Sequence, residues 1–121
     1  MHRNPLEVSI MRPLCEYMIS EMLPGFRALV AKKLIEDHGF SQTEVAEMLN
    51  TTQPAISQYT RQLRGRKTNV FLKNPKLFDL LERITKSIAV GNVRPDKTGL
   101  EFCRMCKLMR ENHIVSGYAL C

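Results

Sequence analysis

Four polar side chains follow one another at helical spacing in the middle of the chain. Gln53 and Ser57 are four residues apart. Gln58 and Arg61, which are three residues apart, continue the pattern. On an α-helix, residues at these spacings lie on neighbouring parts of one face. Gln can form two hydrogen bonds with the edge of adenine, and Arg can do so with O6 and N7 of guanine. The chemistry that this pattern favours is recognition of base edges in the major groove of DNA.

The excess positive charge of the chain lies in the same region. Residues 48–78 contain no Asp or Glu and six basic residues, and the whole chain has a net charge of +6. The chain has 18 Lys and Arg, so the remaining 12 equal its 12 Asp and Glu in number. Lys and Arg displace the counterions that condense on phosphates, so this segment suits a polyanion. The six residues are Arg61, Arg64, Arg66, Lys67, Lys73 and Lys76.

Two predicted helices and the turn between them position these side chains. The sequence Ser-Gln-Thr-Glu at 41–44 is a capping box that opens the first helix. Residues 50–52 form the turn, and Thr51 or Thr52 can cap a second helix that runs to about residue 63. Pro54 fits the first turn of that helix, where a missing N–H costs nothing. Ala46 is expected where the two helices come closest and only a small side chain fits. The inward positions that hold the pair together are Val45, Leu49, Ile56 and Tyr59.

The outer face of the second helix, with the basic segment after it, is the predicted DNA contact. A helix of this size fits the major groove, and its N-terminus can donate hydrogen bonds to a backbone phosphate. An ordinary helical hairpin whose polar residues face water would show a similar pattern. The coincidence with the acid-free segment favours DNA. The predicted DNA-binding residues are Thr52, Gln53, Pro54, Ser57, Gln58, Arg61, Arg64, Arg66 and Lys67.

Six short segments carry the motifs of a known class of protein. They are Leu14-Cys15-Glu16, Phe26-Arg27-Ala28, the segments 41–46 and 52–59, Arg64-Gly65, and Cys103-Arg104-Met105-Cys106. Together these segments resemble small archaeal transcriptional regulators of the XRE type, which have a lambda-repressor-like DNA-binding domain. The resemblance implies an all-α, lambda-repressor-like helical bundle that contains a helix-turn-helix and has a C-terminal helical extension. It also implies sequence-specific binding to double-stranded DNA, usually as a homodimer on an inverted repeat.

The turn departs from that class at one position. Asn50 stands where the turn of such motifs usually has Gly. Asn tolerates the left-handed backbone conformation better than other residues with a side chain, so we expect the turn to form.

Pro and Gly divide the rest of the chain into further helices. Pro24-Gly25 is expected to separate two of them, and Gly39 is expected to end the second. Residues 66–74 read as less regular, with a short extended piece or packing turn at 70–72, and residues 91–99 read as a linker. The additional predicted helices cover residues 14–22, 26–38, 76–90 and 100–112.

Four cysteines form a second candidate site. Cys103 and Cys106 are three residues apart, which would put both sulfur atoms on one side of a helix, close enough to share a metal ion. Cys121 or His113 can supply a third ligand, and Cys15 a fourth, from the same subunit or across a dimer. Four thiolates fit tetrahedral zinc or an iron–sulfur cluster. Thiols that hold no metal are the alternative.

The resemblance favours the cluster, which would couple redox state or iron to DNA affinity. We therefore expect a helix-turn-helix domain over residues 1–91 and a cysteine-containing helix and tail over residues 92–121.

Composition and missing motifs exclude other classes. The chain has 121 residues, of which 44% are hydrophobic, so we expect one globular unit with a modest core. No apolar run approaches the roughly 20 residues of a membrane helix, and no signal core is visible, so we expect a cytoplasmic protein without disulfides. We expect no enzyme, because the chain has no Gly-rich phosphate loop, no nucleophile elbow and no strand before its Cys-x-x-Cys. A protein-interaction adaptor that uses an apolar stripe at 77–88 remains the alternative of another class.

Overall fold

A computed structural model of the chain describes residues 16, 20, 22–61, 63 and 68–111. Over these residues the protein is all-α, as predicted, with six α-helices, a short 3-10 turn at Pro95–Lys97 and no β-strand. The helices are α1 (Leu23–Glu36), α2 (Gln42–Met48), α3 (Gln53–Arg61), α4 (Asn69–Lys73), α5 (Pro75–Ala89) and α6 (Thr98–Glu111).

Helix α1 begins before the break that the sequence predicts. The expected interruption at Pro24-Gly25 is wrong, because both residues belong to the first turn of α1. Proline is compatible with that position, since the first amides of a helix have no partner within the helix. At the other end α1 stops at Glu36, and Gly39 follows with a φ of 76°. This left-handed conformation favours glycine and turns the chain toward α2.

The capping box at the start of α2 is confirmed. The Glu44 backbone N–H donates to Ser41 Oγ at 3.1 Å, and the Ser41 N–H donates to Glu44 Oε1 at 3.0 Å. In the turn after α2, Asn50 has a φ of 56°, which is the left-handed conformation predicted for it. Thr52 Oγ1 then accepts a hydrogen bond from the Ala55 N–H at 3.4 Å and caps α3, as predicted.

The segment between α3 and α5 is more regular than the sequence predicts. Residues 70–72 are helical, so the extended alternative is wrong, and Phe71 is fully buried against the ring of Phe26 with the centroids 6.1 Å apart. Asn74 ends this segment and caps α5, because its Oδ1 accepts from the N–H groups of Lys76 and Leu77 at 3.0 and 3.2 Å. The predicted linker at 91–99 is also shorter than expected, because it contains the 3-10 turn and α6 already begins at Thr98.

One hydrophobic core joins all six helices. The apolar stripe of α5 is buried in it and is not exposed to a partner helix. Helix α6 contributes to the same core and packs against α1 through Phe102 and Phe26, whose ring centroids are 5.3 Å apart. The α6 side chains in the core are Phe102, Met105, Cys106 and Met109, and those of the α5 stripe are Leu77, Leu80, Leu81, Ile84 and Ile88.

Candidate nucleic-acid interface

The inner side of helix α3 fixes its orientation in the fold. Ile56 is fully buried, and Tyr59 is half-buried against the core. Behind α3, Ala46 of α2 is 4% exposed, which agrees with the expectation that only a small side chain fits at this approach. The neighbouring Val45 is fully buried. Rotation of α3 about its axis would expose Ile56, so this packing determines which side chains of α3 face outward.

The outer side of α3 carries the side chains predicted to contact DNA. Gln53, Gln58 and Arg61 are exposed, and Ser57 is half-buried. Gln53, Ser57 and Arg61 follow one another every four residues, so they form a single row along the helix. Thr52 and Pro54 are exposed at the N-terminal end of the same helix. The structure therefore brings six of the nine predicted residues together on one short helix and its cap.

The other three predicted residues lie outside the described part of the chain. They are Arg64, Arg66 and Lys67, which follow α3 directly.

A hydrogen bond between α2 and α3 orients one of the predicted base-reading groups. Gln53 Nε2 donates to Gln42 Oε1 at 2.5 Å. The second Nε2 hydrogen and the Oε1 atom of Gln53 are not used in this contact, and these are the donor and acceptor that an adenine edge requires. Gln42 is not among the residues predicted from sequence. The contact joins the first residues of two different helices, so no local pattern indicates it.

The charge on α3 is positive. The helix contains no Asp or Glu, and Arg61 lies in its last turn, where a cation interacts favourably with the helix dipole. Among the described residues no carboxylate lies within ion-pair distance of Arg61, whereas the exposed Arg83 of α5 pairs with Asp79 at 3.0 Å. Lys73 and Lys76 are also exposed. The cationic side chain of Arg61 is therefore available to an anionic or carbonyl-bearing partner.

Comparison of the chain with protein-family models, with curated proteins and with solved structures finds no match. Within the described ranges, no helix is both long enough and apolar enough to cross a membrane.

The two described cysteines lie in different environments. Cys103 is exposed, whereas Cys106 is in the core with 9% of its surface exposed. Burial raises the pKa of the Cys106 thiol, and the positive charge of Arg110 opposes that shift only in part.

The described residues alone do not complete a metal site. They contain no group of three or more His, Cys, Asp or Glu side chains that could hold a metal ion. Cys15, Cys121 and His113, which would supply the remaining ligands, lie outside them. The iron–sulfur cluster and the zinc alternative therefore stay predictions of the thiol pattern.

Proposed function

We propose that this chain is a sequence-specific DNA-binding transcriptional regulator that acts in the cytoplasm. In this proposal α2 and α3 form the helix-turn-helix of a lambda-repressor-like domain, and α3 lies in the major groove. The observation that carries the proposal is the division of α3 into two sides. Ile56 is buried and Tyr59 half-buried on one side, and the Gln and Arg side chains are exposed on the other, next to a segment without carboxylates.

The polar side chains on the outer side of α3 and its cap have separate roles in the proposed complex. Gln53, oriented by Gln42, reads adenine, and Arg61 reads guanine. Ser57 and Gln58 contact the edges of bases that lie between this adenine and this guanine. Thr52 lies close to the backbone phosphate at the helix N-terminus. The basic residues 64–67 bind phosphates and supply affinity that does not depend on sequence.

Two further parts of the proposal come from the sequence: the first from the resemblance, and the second from the cysteine pattern, for which the resemblance favours a cluster over zinc. One is binding as a homodimer on an inverted repeat, which would place two copies of α3 in successive major grooves. The other is an iron–sulfur cluster, or zinc, on Cys15, Cys103, Cys106 and Cys121. Iron and zinc assays on protein purified without oxygen test the second, and protein without either metal contradicts it.

The interaction adaptor has less support than the regulator. It depends on the apolar stripe of α5 as a surface for a partner helix. That stripe is buried in the core of this chain, with Leu77 and Leu81 fully inaccessible.

The proposed function is tested by DNA binding across a range of salt concentrations. A preferred sequence is first selected from randomised double-stranded DNA, and its affinity is then measured by mobility shift. We expect affinity to fall steeply with salt, because phosphate contacts release counterions. An Arg61→Ala variant is expected to lose about 1–3 kcal/mol, or about 5- to 150-fold in Kd, on the preferred sequence.

Arg83→Ala is the matched control, because it also removes an exposed arginine, one that lies outside the acid-free segment and is not among the predicted DNA-binding residues. It is expected to bind like the unmodified protein. Lys67→Ala is expected to weaken binding to all sequences alike and to lower the salt slope. Absence of binding at low salt would contradict the function, and an unchanged sequence preference in Arg61→Ala would contradict the groove-facing role of α3.

A further inference from the structure

A cavity lies on the inner side of the α2–α3 pair, away from the outward row of α3. Its volume is about 260 Å³. Residues of α1, of the turn after α2, of α3, of α5 and of the first two turns of α6 line it. It is therefore the place where the proposed DNA-reading unit and the C-terminal helix meet. Of the predicted DNA and metal residues that the structure describes, none lines this cavity.

The deep part of the cavity is apolar. Phe26 and Phe102 are 4% and 6% exposed, and their rings meet at a tilt of 57°. Val30 and Ile88 are buried beside them. Aromatic and branched groups pack well against tilted rings and aliphatic side chains, so this end suits the apolar body of a ligand.

The outer part of the cavity is polar and positively charged. Arg27 and Asn50 line it and are exposed, and Tyr59, which is half-buried, also lines the cavity. Among the lining residues that the structure describes there is no Asp or Glu. In the described ranges no Asp or Glu forms an ion pair with Arg27. A guanidinium group binds a carboxylate with two parallel hydrogen bonds, so the mouth suits an anion of that kind.

We propose that this cavity binds a small carboxylic acid with an aromatic or branched apolar body. Arg27 holds the carboxylate at the mouth, Tyr59 and Asn50 offer further hydrogen bonds, and Phe26 and Phe102 contact the apolar body. The volume is below the range of about 300–1,000 Å³ that is typical of pockets for drug-sized ligands. The ligand is therefore a small metabolite with one ring or a short branched chain.

The position of the cavity connects this ligand to DNA binding, a step that rests on the proposed function. The ligand contacts Asn50 in the turn and Tyr59 on the inner side of α3, two residues before Arg61. A ligand that fills the space between these residues and α6 stabilises the arrangement in which α3 is presented outward. We expect the ligand to increase DNA affinity, and DNA to increase ligand affinity by the same factor.

Binding is tested first on the full chain without DNA. Benzoate, phenylacetate and 3-phenylpropanoate are compared with the corresponding neutral amides in thermal unfolding. The carboxylates are expected to raise Tm in a saturable way, because they bind the folded state, and the amides much less. In amide NMR spectra the carboxylates should shift the signals of Thr51, Tyr59 and Gly99, which line the cavity.

Two variants that remove the same charge decide whether Arg27 is the anchor. Arg27→Gln is expected to weaken carboxylate binding about tenfold or more, since a charge-assisted pair of hydrogen bonds is lost. Arg83→Gln is expected to bind like the unmodified protein, because Arg83 does not line the cavity. Both residues are exposed, and melting without ligand verifies that both variants fold.

Three results would overturn the binding site. They are the absence of any saturable shift in Tm, equal stabilisation by acids and amides, and equal losses in Arg27→Gln and Arg83→Gln. The link to DNA is tested separately by repeating the mobility shift with the best carboxylate. Unchanged DNA affinity at a saturating concentration of ligand refutes the coupling. Absence of DNA binding with and without ligand refutes the proposed function, while the melting data still decide the cavity.

Discussion

The α2–α3 pair and helix α6 both carry a predicted chemical site, but they distribute its residues differently. On α3 the predicted contact residues are exposed or half-buried, and the apolar Ile56 is fully buried. On α6 the two predicted metal ligands differ in exposure, since Cys103 is exposed and Cys106 lies in the core. Gln and Arg carry groups that are costly to bury, so their position on a helix indicates its outer side. Cysteine packs as a small hydrophobic residue or remains accessible, so its sequence position does not decide between the two.

The largest expected effects test whether both regions depend on the same core. Ile56→Ala and Met105→Ala each remove a fully buried side chain, one from α3 and one from α6. Each is expected to lower the free energy of unfolding by about 2–5 kcal/mol in urea denaturation. Leu100→Ala is the control, because Leu100 is 59% exposed on α6 and should change stability little. A small loss for Met105→Ala would show that α6 is not part of the core that supports α3.

The cysteines provide the next comparison. Cys106→Ser places a hydroxyl in the core and is expected to cost about 1–3 kcal/mol, whereas Cys103→Ser is expected to leave the free energy of unfolding nearly unchanged. In metal-free protein, iodoacetamide should modify Cys103 much faster than Cys106, because Cys103 is exposed. Mass spectrometry of peptides over time measures both rates. Equal modification rates would contradict the burial of Cys106, because they would mean that α6 separates from the core faster than iodoacetamide reacts.

A smaller effect is expected at the capping box of α2. Ser41→Ala removes the oxygen that accepts from the Glu44 N–H and should cost about 1 kcal/mol of unfolding free energy. Thr43→Ala is the matched control two residues later, at an exposed position inside the same helix. It is expected to have no effect or to stabilise slightly, since Ala has a higher helix propensity. Equal losses in the two variants would contradict a specific role for the cap.

The smallest expected effect is a pH dependence at Glu44. The hydrogen bonds with Ser41 lower the pKa of the Glu44 carboxyl below its ordinary value of 4.5. A lowered pKa in the folded state means that the stabilisation is present above pH 4.5 and is lost as the pH falls through the folded pKa. Glu44→Gln should therefore destabilise the protein at neutral pH and have less effect in acid. Urea denaturation at several pH values measures the difference, and a loss that is the same at every pH would contradict it.

Much of the local structure follows from short sequence patterns. The capping box at Ser41, the left-handed Asn50 and the cap at Thr52 were predictable, because each depends on residues within four positions of one another. The turn at 24–25 was mispredicted because Pro-Gly reads as a break, although proline is equally compatible with the start of a helix. The start of α5 was also predictable, because Asn74 directly before Pro75 is a favoured N-cap residue.

Local periodicity and side-chain chemistry were thus enough to determine that this protein is helical and that Gln53 and Arg61 face outward on α3. Only the tertiary structure decided that Gln42 orients Gln53, that Cys106 is buried and that a cavity lies beside Arg27. These features depend on helices that are distant in sequence and meet through the shared core. The periodicity of a single helix shows which side is apolar, but it carries no information about what that side contacts.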